Sequence, residues 1–503
     1  MKRRLLVWLF ASLIPLAAAG PDNDTLTVAF ERVMLTLDSY ATSERLALIL
    51  AHNWGDTLIY RNSVTGEFQP HLASAWRFLD DQTLELELRT DVTFHNGETF
   101  GPEAVKATLE FVMENIDTLP GTRVLAWLEG VDIIDERTVQ IRAREVTPTM
   151  LETLALVAVM YPAEYLAEVG TEGMGSNPIG TGPYAFISSS DNTIVFEAFA
   201  DYFGGAKGQP SIANLVIRTI PEESSRIAAL RIGEIDIARS GSISPDQVAT
   251  LRGNVRAEAA DILRIWYFQM DTLGTSGTDV FTDVRVRQAV NHAINRQEIV
   301  DVLLDGFGTV IDTPCNPVQF GCNPDAATVY QYSPERAREL LAEAGYPDGF
   351  RVDMFGYRDQ QVAQAIQGYL AQVGIETDLQ WFGGQYDVVS QRQAAGETAS
   401  FFGAWGSSSV YDASAILNIF FADDGTYTFT ESETLHEALV MALQTVDLAE
   451  RQRLYDQAIG EITSQAYWVP LYAGRVVAGV SEALAWSPSS DEIERYYLAS
   501  WRD

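Results

Sequence analysis

Lysine is scarce in this 503-residue chain, and the balance of charge is strongly acidic. Beyond Lys2 only Lys106 and Lys207 occur, so arginine carries nearly all of the positive charge. The formal net charge is −35, and such a surface makes nucleic acid an implausible partner. The acidity could steer cationic ligands or only solvate the surface. We interpret the shortage of lysine as a general bias in amino-acid composition and not as the sign of a functional site.

Cysteine is limited to Cys315 and Cys322, in the turn-rich stretch TPCNPVQFGCNP. In an oxidising compartment such a pair can close a small loop as a disulfide, which is the interpretation we favour. A metal site would need further Cys or His at ligand spacing, and none is near in the sequence. The histidines show no paired metal-ligand spacing either; they are His52, His71, His95, His292 and His436. We therefore predict no metal and no other cofactor.

Recognised catalytic motifs are absent as well. The glycine-rich stretch 173–182 runs into Pro183 instead of opening a helix, which argues against a phosphate cradle. The chain contains no G-x-S-x-G elbow and no P-loop. A secreted glycoside hydrolase stays open as a remote alternative, because its two carboxylates need no local motif. We predict that the protein is not an enzyme.

No segment approaches the roughly 20 continuous apolar residues of a membrane-spanning helix. The N-terminus has a positive start (residues 2–4), a short apolar run (residues 5–16) and small residues at positions 17–19. This order is typical of a secretory signal peptide, whereas Pro15 argues against the alternative of a buried N-terminal helix. No cysteine follows the run to carry a lipid anchor. We predict cleavage after Ala19 and a soluble periplasmic protein.

The chain exceeds the length at which a single core usually stops growing, so two or more lobes are expected. The clearest β-α-β pattern is a strand at 350–356, a helix at 360–373 and a strand at 375–382. The first half holds a similar order, with strands at 215–220 and 234–238 around a helix at 222–232. Each such order implies a parallel pair with a crossover helix. The sequence therefore predicts an α/β protein with two sheet-centred lobes.

Four ordered blocks then carry a family resemblance. They are PHLASAWRFLDDQTLELELRTDVTFHNGETFGPEAVKATLEFV (residues 70–112), NPIGTGPY (177–184), DVRVRQAVNHAINRQEIVD (283–301) and YSPERARELLAEAGYPDG (332–349). In these blocks the chain resembles extracellular solute-binding protein family 5, the dipeptide, oligopeptide and nickel binding proteins of ABC importers. The resemblance covers nearly the whole chain after the predicted signal.

The resemblance implies the two-lobe periplasmic-binding-protein fold (type II, large family-5 variety), with an extra subdomain inserted in lobe I. Two crossing strands, near residues 266–271 and 468–473, would form the hinge. The implied division is a signal peptide at 1–19, lobe I at 20–56, 181–272 and 475–503, the inserted subdomain at 57–180, and lobe II at 273–474.

The resemblance also implies a function. The protein would capture a peptide or peptide-like small ligand by hinge closure and, as a monomer, deliver it to an ABC permease in the cytoplasmic membrane. A nickel-type metal chelate or an opine-like solute is the alternative ligand. A sensor or chaperone-like binder on the same fold also stays open, because a fold does not fix its partner.

The segment FFGAWGSSSVYDASAIL (residues 401–417) is where the resemblance implies ligand contacts. In peptide-binding relatives an aspartate follows a tryptophan by three positions and pairs with the peptide amine. Here Trp405 is followed by Ser407 and Ser408 instead, which puts an ordinary peptide in doubt. In the nickel-binding branch Trp-Gly is followed by Tyr-Asp, and Tyr411 and Asp412 resemble that pair. Asp412 would either face a cation or only cap a helix beginning at residue 413.

Four further positions resemble ligand contacts of the family. Trp127 matches a cleft tryptophan of the nickel-binding branch, although it could equally be a core residue. Arg123 lies near the position of a carboxylate-binding arginine there but is out of register by one. Tyr40 and Thr42 fall in the loop that faces the ligand, where side chains with an apolar body and one polar group are suitable. Truncating Trp127 or Trp405 to alanine is expected to weaken binding and leave the fold intact.

Overall fold

A computed structural model of the chain describes residues 19–502; all of the predicted signal peptide except Ala19 lies outside them. The strands of lobe I and the inserted subdomain are β1 (Thr25–Phe30), β2 (Ile59–Arg61), β3 (Phe68–Pro70), β4 (Ala73–Phe78), β5 (Thr83–Leu88), β6 (Leu128–Ile133), β7 (Thr138–Ala143), β8 (Tyr184–Ser190), β9 (Thr193–Ala198), β10 (Asn214–Thr219) and β11 (Ile237–Ala238). The later strands are β12 (Val255–Met270), β13 (Gly308–Val310), β14 (Phe350–Gly356), β15 (Ile375–Trp381), β16 (Ser400–Trp405), β17 (Trp468–Ser481), β18 (Leu484–Ala485) and β19 (Ser500–Trp501).

The helices alternate with these strands. In order they are α1 (Arg45–Trp54), α2 (Pro102–Glu114), α3 (Met150–Leu156), α4 (Ala163–Ser176), α5 (Glu223–Arg231), α6 (Val284–Ala293), α7 (Arg296–Glu298), α8 (Pro334–Glu343), α9 (Gln360–Gln372), α10 (Tyr386–Ala394), α11 (Ser414–Phe421), α12 (Glu433–Leu443) and α13 (Leu448–Ser464). Within residues 19–502 no helix is long and apolar enough to cross a bilayer.

One large sheet runs through both lobes. Its strand order is β15-β14-β16-β12-β17-β11-β1-β10-β9-β8, and β13 pairs with β17. The long strands β12 and β17 pair antiparallel along most of their length, from Val255↔Ser481 to Gln269↔Trp468. One end of this pair adjoins β11 in lobe I and the other adjoins β16 in lobe II. The two lobes are therefore joined by continuous strands, with a break in register between Asp261 and Ile265.

Lobe I is built around β1, whose six residues are all buried. The strands β10 and β11 have the predicted parallel direction, with α5 between them in the chain. They are not neighbours in the sheet, however, because β1 lies between them and pairs with both. The sequence pattern gave the direction of these strands and missed the strand inserted between them.

Residues 57–180, which are predicted to form the inserted subdomain, contain a four-stranded antiparallel sheet in the order β4-β5-β7-β6. Alternate residues of β5 and β7 are buried, and α2 packs against this sheet. Pro102 opens α2, where the absent N–H of proline costs no hydrogen bond. The buried residues of the subdomain form one continuous core with those of lobe I.

Lobe II contains the predicted β-α-β unit. Strands β14 and β15 are parallel neighbours, and α9 connects them. Asp283 caps α6 by accepting the N–H of Arg285, and Ser333 caps α8 by accepting the N–H of Arg336. Separate apolar cores lie on the two faces of the sheet, one with α6, α8 and α9 and the other with α11 to α13.

The NPIGTGPY segment is a loop that packs against the end of α1. A Cβ atom on Gly180 would lie 2.4 Å from Trp54 O, so only glycine fits this close approach. The Thr181 hydroxyl donates to buried Asp56 at 2.9 Å, and Lys207 Nζ lies 2.7 Å from the same carboxylate. Burial raises the pKa of Asp56, but Lys207 and His71 lower it by a larger amount. The pKa of Asp56 is therefore below its usual range. One of the chain's few lysines therefore neutralises a core carboxylate.

Candidate ligand-binding cleft

A cavity of about 170 Å³ lies where the lobes meet. Lobe I and the inserted subdomain contribute the loop before α1, the first turn of α1 and the turn Pro120–Leu125. Lobe II contributes the turn Ser407–Ser409, which we call the serine turn. Of the residues predicted to contact ligand, Thr42 and Ser408 border this cavity from opposite sides.

The backbone of the serine turn is left-handed at three successive non-glycine residues. Ser407, Ser408 and Ser409 have φ values of 50°, 48° and 66°. This region costs an L-residue roughly 1–2 kcal/mol, and such strain is concentrated at functional sites in proteins. The Ser407 side chain is 1% exposed, and its hydroxyl has no hydrogen-bond partner within residues 19–502.

Ser409 connects the serine turn directly to lobe I. Its hydroxyl accepts a hydrogen bond from Arg45 Nη1 and donates to the backbone oxygen of Asp491 at 2.6 Å. The same Arg45 nitrogen donates to that oxygen at 3.0 Å. Arg495 donates two hydrogen bonds to the Asp491 carboxylate, from Nη1 at 2.9 Å and from Nη2 at 2.6 Å. Burial raises the pKa of Asp491, but Arg495 outweighs it and lowers this pKa to about 2.

Tyr411 makes a second contact between the lobes. Its hydroxyl lies 2.7 Å from Ser490 Oγ in lobe I, and its backbone N–H donates to Glu152 Oε1 at 3.0 Å. Arg61 stacks over its ring with the guanidinium carbon 3.5 Å from the centroid, and Arg61 Nε lies 2.8 Å from Glu152 Oε2. Burial raises the pKa of Glu152 in spite of the opposing effect of Arg61.

Asp412 lies at the edge of the cleft with its carboxylate already occupied. Arg451 donates to one oxygen at 2.6 Å and the Tyr455 hydroxyl to the other at 2.8 Å. The backbone N–H of Ser414, the first residue of α11, also donates to Asp412 at 3.0 Å. Asp412 thus contacts the first residue of α11, and its charge is balanced by Arg451 within the protein. A contact between Asp412 and a ligand remains a prediction.

Four other predicted positions do not border this cavity. Tyr40 is 1% exposed and donates its hydroxyl hydrogen to Val159 O at 2.9 Å. Trp127 Nε1 donates to Thr153 Oγ1, and Trp405 Nε1 donates to Ala415 O, each at 3.0 Å. Both tryptophans pack against apolar cores, which favours the core interpretation of Trp127.

Arg123 is exposed, and its side chain makes no ion pair or hydrogen bond with the part of the chain that the structure describes. The ligand roles of these four positions remain predictions.

In lobe II, Cys315 and Cys322 form a disulfide with 5.9 Å between their Cα atoms.

Sequence reasoning missed most of the charged residues at the cleft, which are Arg45, Arg61, Glu152, Asp491 and Arg495. Two of them belong to the charge-dense stretch DEIER near the C-terminus, the one local signal that could have drawn attention to this place. The others are separated in sequence by about a hundred residues or more from the partners that they meet across the cleft.

Comparisons with known proteins place the chain in a family. The model of bacterial extracellular solute-binding proteins, family 5 Middle, matches residues 67–428. The glutathione-binding protein GsiB of Pectobacterium atrosepticum is 28% identical over 421 residues, which is 80% of each chain. Heme-binding protein A of Haemophilus influenzae is 27% identical over 470 residues, covering 86% of this chain and 82% of that protein.

A solved structure gives the same result at the level of the fold. HbpA2 from Haemophilus parasuis superposes with a TM-score of 0.84 at 23% identity, over 95% of this chain and 100% of that one. The family resemblance and the two-lobe α/β fold predicted from the sequence are confirmed. This chain belongs to the bacterial extracellular solute-binding proteins, family 5.

Proposed function

We propose that this protein is the solute-binding component of an ABC importer. It captures a peptide or peptide-like small solute between its lobes and delivers it to a permease in the cytoplasmic membrane. Support comes from the family and from relatives that are named for binding glutathione and heme. The glutathione-binding relatives favour a peptide-like solute, since glutathione is itself a modified tripeptide.

The observation that carries this proposal is the cavity bordered by both lobes. Thr42 on lobe I and Ser408 on lobe II face the same space, while β12 and β17 continue from one lobe into the other. A ligand that touches both lobes favours the closed arrangement over the open one by its differential contacts. Closure also excludes water, which strengthens each polar contact to the ligand.

The proposed role involves no chemistry on the ligand. A glycosidase needs one carboxylic acid and one carboxylate that can reach the same bond. The cleft carboxylates Glu152, Asp491 and Glu492 each lie within ion-pair distance of an arginine. The membership of the chain in a family of solute-binding proteins supports binding rather than acid–base catalysis.

The remaining parts of the proposal concern export and assembly. The signal at residues 1–19 is removed, and the protein works in the periplasm as a monomer without nucleic acid. Lobe I consists of residues 20–56, 181–272 and 475–503, with the subdomain at 57–180 and lobe II at 273–474. The hinge lies in β12 and β17, near residues 266–271 and 468–473, which pair with each other in the sheet.

Isothermal titration of the purified processed protein with glutathione and a dipeptide library tests this function. We expect saturable one-site binding of at least one compound, and mass spectrometry should recover that compound unchanged after prolonged incubation. Conversion of a bound compound to product would overturn the proposal in favour of an enzyme. A chain that binds no member of the library and carries no small molecule from the cell would also overturn it.

A further inference from the structure

We propose a second ligand site in this protein, which takes a small amphipathic cation, that is, an amine with an aliphatic or aromatic body. The site is an open groove of about 670 Å³ between the inserted subdomain and lobe II, and we call it the outer groove. Its lining consists of residues from segments 61–81, 147–152, 411–412 and 446–451, together with Phe320. It shares no lining residue with the cavity bordered by Thr42 and Ser408, so this site is additional to the proposed solute capture.

The two walls of the outer groove carry exposed apolar side chains. Phe78 (48% exposed) and Leu79 belong to the subdomain, whereas Val446 and Leu448 (62% exposed) belong to lobe II. Soluble monomers rarely gather exposed apolar residues in one place, and such a patch is often functional. Small-molecule sites are mostly apolar and are frequent where domains meet. The position and the lining of this groove therefore favour a ligand with an apolar body.

The positive charges of the outer groove are already matched by acidic side chains. The ion pairs are Arg61–Glu152 at 2.8 Å and Arg451–Asp412 at 2.6 Å in the lining, and Arg77–Glu85 at 2.6 Å beside it. Arg144, which does not line the groove, is followed in the chain by Glu145. Within the lining that the structure describes, no positive charge is therefore left for an anionic ligand.

Two carboxylates of the outer groove have no positive partner. Asp80 accepts hydrogen bonds from the Gln82 N–H at 2.9 Å and from the Thr83 hydroxyl at 3.2 Å, and neither donor is charged. These hydrogen bonds lower the pKa of Asp80, so its carboxylate is ionised at neutral pH. Asp81 makes no ion pair or hydrogen bond with residues 19–502. Two negative charges therefore remain in the lining after the ion pairs cancel, and they attract a cation.

The aromatic rings of the outer groove show the same preference. The guanidinium carbon of Arg61 lies 6.0 Å from the ring centroid of Phe68, and that of Arg451 lies 5.0 Å from the centroid of Phe320. The face of an aromatic ring attracts a cation through its quadrupole. Phe78 has no cation over its ring within residues 19–502, and the two unpaired carboxylates follow it closely in the chain. The subdomain wall thus combines a ring and two carboxylates, which is the chemistry that binds an organic ammonium ion.

The outer groove exists only while the lobes are in contact, because its walls belong to different lobes. Arg61 and Tyr411, whose contact joins the lobes, are both part of the lining. A ligand that touches Phe78 on one wall and Leu448 on the other makes both contacts only in this arrangement. Occupancy of the groove therefore favours lobe contact over lobe separation.

Three compounds with similar straight hydrocarbon chains and different charge test the ligand class: octylammonium, 1-octanol and octanoate. The processed protein is titrated with each of them by calorimetry at low ionic strength. We expect saturable binding of one octylammonium per chain, about fivefold tighter than octanoate or more, with octanol between them. Raising the salt to about 0.5 M should narrow this difference, because exposed charges are screened. Equal binding of all three, tighter binding of octanoate, or no saturable binding of octylammonium would each overturn the cation site.

Variants locate the bound cation in the outer groove. Phe78→Ser and Leu448→Ser change exposed residues, one on each wall, and each should weaken octylammonium binding by about threefold or more. Asp81→Asn should reduce the preference for octylammonium over octanoate. Ile232→Ser and Asp348→Asn, at exposed positions outside the groove, are the matched controls and should behave as wild type. Wild-type binding in Phe78→Ser and Leu448→Ser would place the cation elsewhere and overturn the proposal.

Small-angle scattering tests the position of the bound cation between the lobes. Saturating octylammonium should leave the radius of gyration of the processed protein unchanged or make it smaller, because occupancy favours lobe contact. An increase would show that the cation separates the lobes and would contradict a site formed by both walls. These outcomes concern the outer groove alone, so a failure here leaves solute capture to its own titration with glutathione and dipeptides.

Discussion

The guanidinium carbon of Arg61, in the inserted subdomain, lies 3.5 Å from the ring centroid of Tyr411, in lobe II. Glu152 stabilises this contact, because its carboxylate forms an ion pair with Arg61 Nε and also accepts a hydrogen bond from the backbone N–H of Tyr411. One residue of lobe II is thus held through its ring, its hydroxyl and its backbone by the other half of the molecule. Tyr411 is therefore where the contact between the lobes can be weakened by a single change.

Replacing Tyr411 by alanine should shift the protein toward an open arrangement. The change removes the cation–π contact, about 0.5–2 kcal/mol, and the hydroxyl contact with Ser490, about 1 kcal/mol. Small-angle scattering should show a larger radius of gyration without ligand, and titration should show affinity lower by about tenfold or more. Tyr411→Phe keeps the ring and should lose less. Tyr332→Ala, at an exposed tyrosine before α8, serves as the control.

An unchanged radius of gyration and affinity in Tyr411→Ala would show that this contact does not govern closure.

Replacing Asp412 by alanine should destabilise lobe II. The change leaves Arg451 buried without its partner, and breaking a buried ion pair typically costs about 3–5 kcal/mol. Urea unfolding measures this loss. The double variant Asp412→Ala with Arg451→Met should be less destabilised than Asp412→Ala alone, since no unpaired charge remains. Full stability of Asp412→Ala together with loss of binding would instead assign the carboxylate to the ligand.

Removing the disulfide should lower stability and loosen the cleft edge. A loop with a sequence separation of seven corresponds to about 2–3 kcal/mol in the chain-entropy model. The loop also positions Phe320, whose N–H donates to Tyr411 O at 2.9 Å. The variant with serine at Cys315 and Cys322 should therefore show a lower melting temperature and weaker binding. Free thiols in the native oxidised protein, detected by alkylation, would contradict the pairing.

Asp236 should make stability depend on pH. Burial raises its pKa from 3.8 to about 7, against the opposing effect of the Thr27 N–H that it accepts. Folded protein keeps this proton up to pH 7, whereas unfolded protein releases it above pH 4. The contribution to the unfolding free energy is full below pH 4 and is lost as the pH rises to 7.

The Asp236→Asn variant isolates this effect, because the amide cannot ionise. It should equal wild type in stability near pH 4 and exceed it at pH 8 by up to about 4 kcal/mol, at about 1.4 kcal/mol per pKa unit. Chemical unfolding of both proteins at several pH values measures the difference. A constant difference across this range would show that Asp236 is ionised in the folded state.

Local patterns in the sequence predicted much of the secondary structure. The unit β14-α9-β15 was predicted because its strand and helix patterns depend on neighbouring residues. The position of β1 between β10 and β11 could not be read in this way. Strand order depends on pairing between segments some two hundred residues apart, and no local pattern encodes it.

The candidate site was predictable only in part. The family resemblance led to Thr42 and Ser408, which border the cavity, and to Tyr411, which contacts the other lobe. It did not lead to Arg45, because the significance of that residue comes from Ser409 and Asp491, which reach it from elsewhere in the chain. The left-handed serine turn was also missed, since serine carries no strong preference for positive φ.

Native mass spectrometry of the gently purified processed protein tests solute capture most directly. The account predicts a species heavier than the bare chain by the mass of one small molecule, which is released on denaturation. The bare mass alone, combined with no binding to glutathione or to any member of the dipeptide library, would contradict the proposal that this protein captures a solute between its lobes.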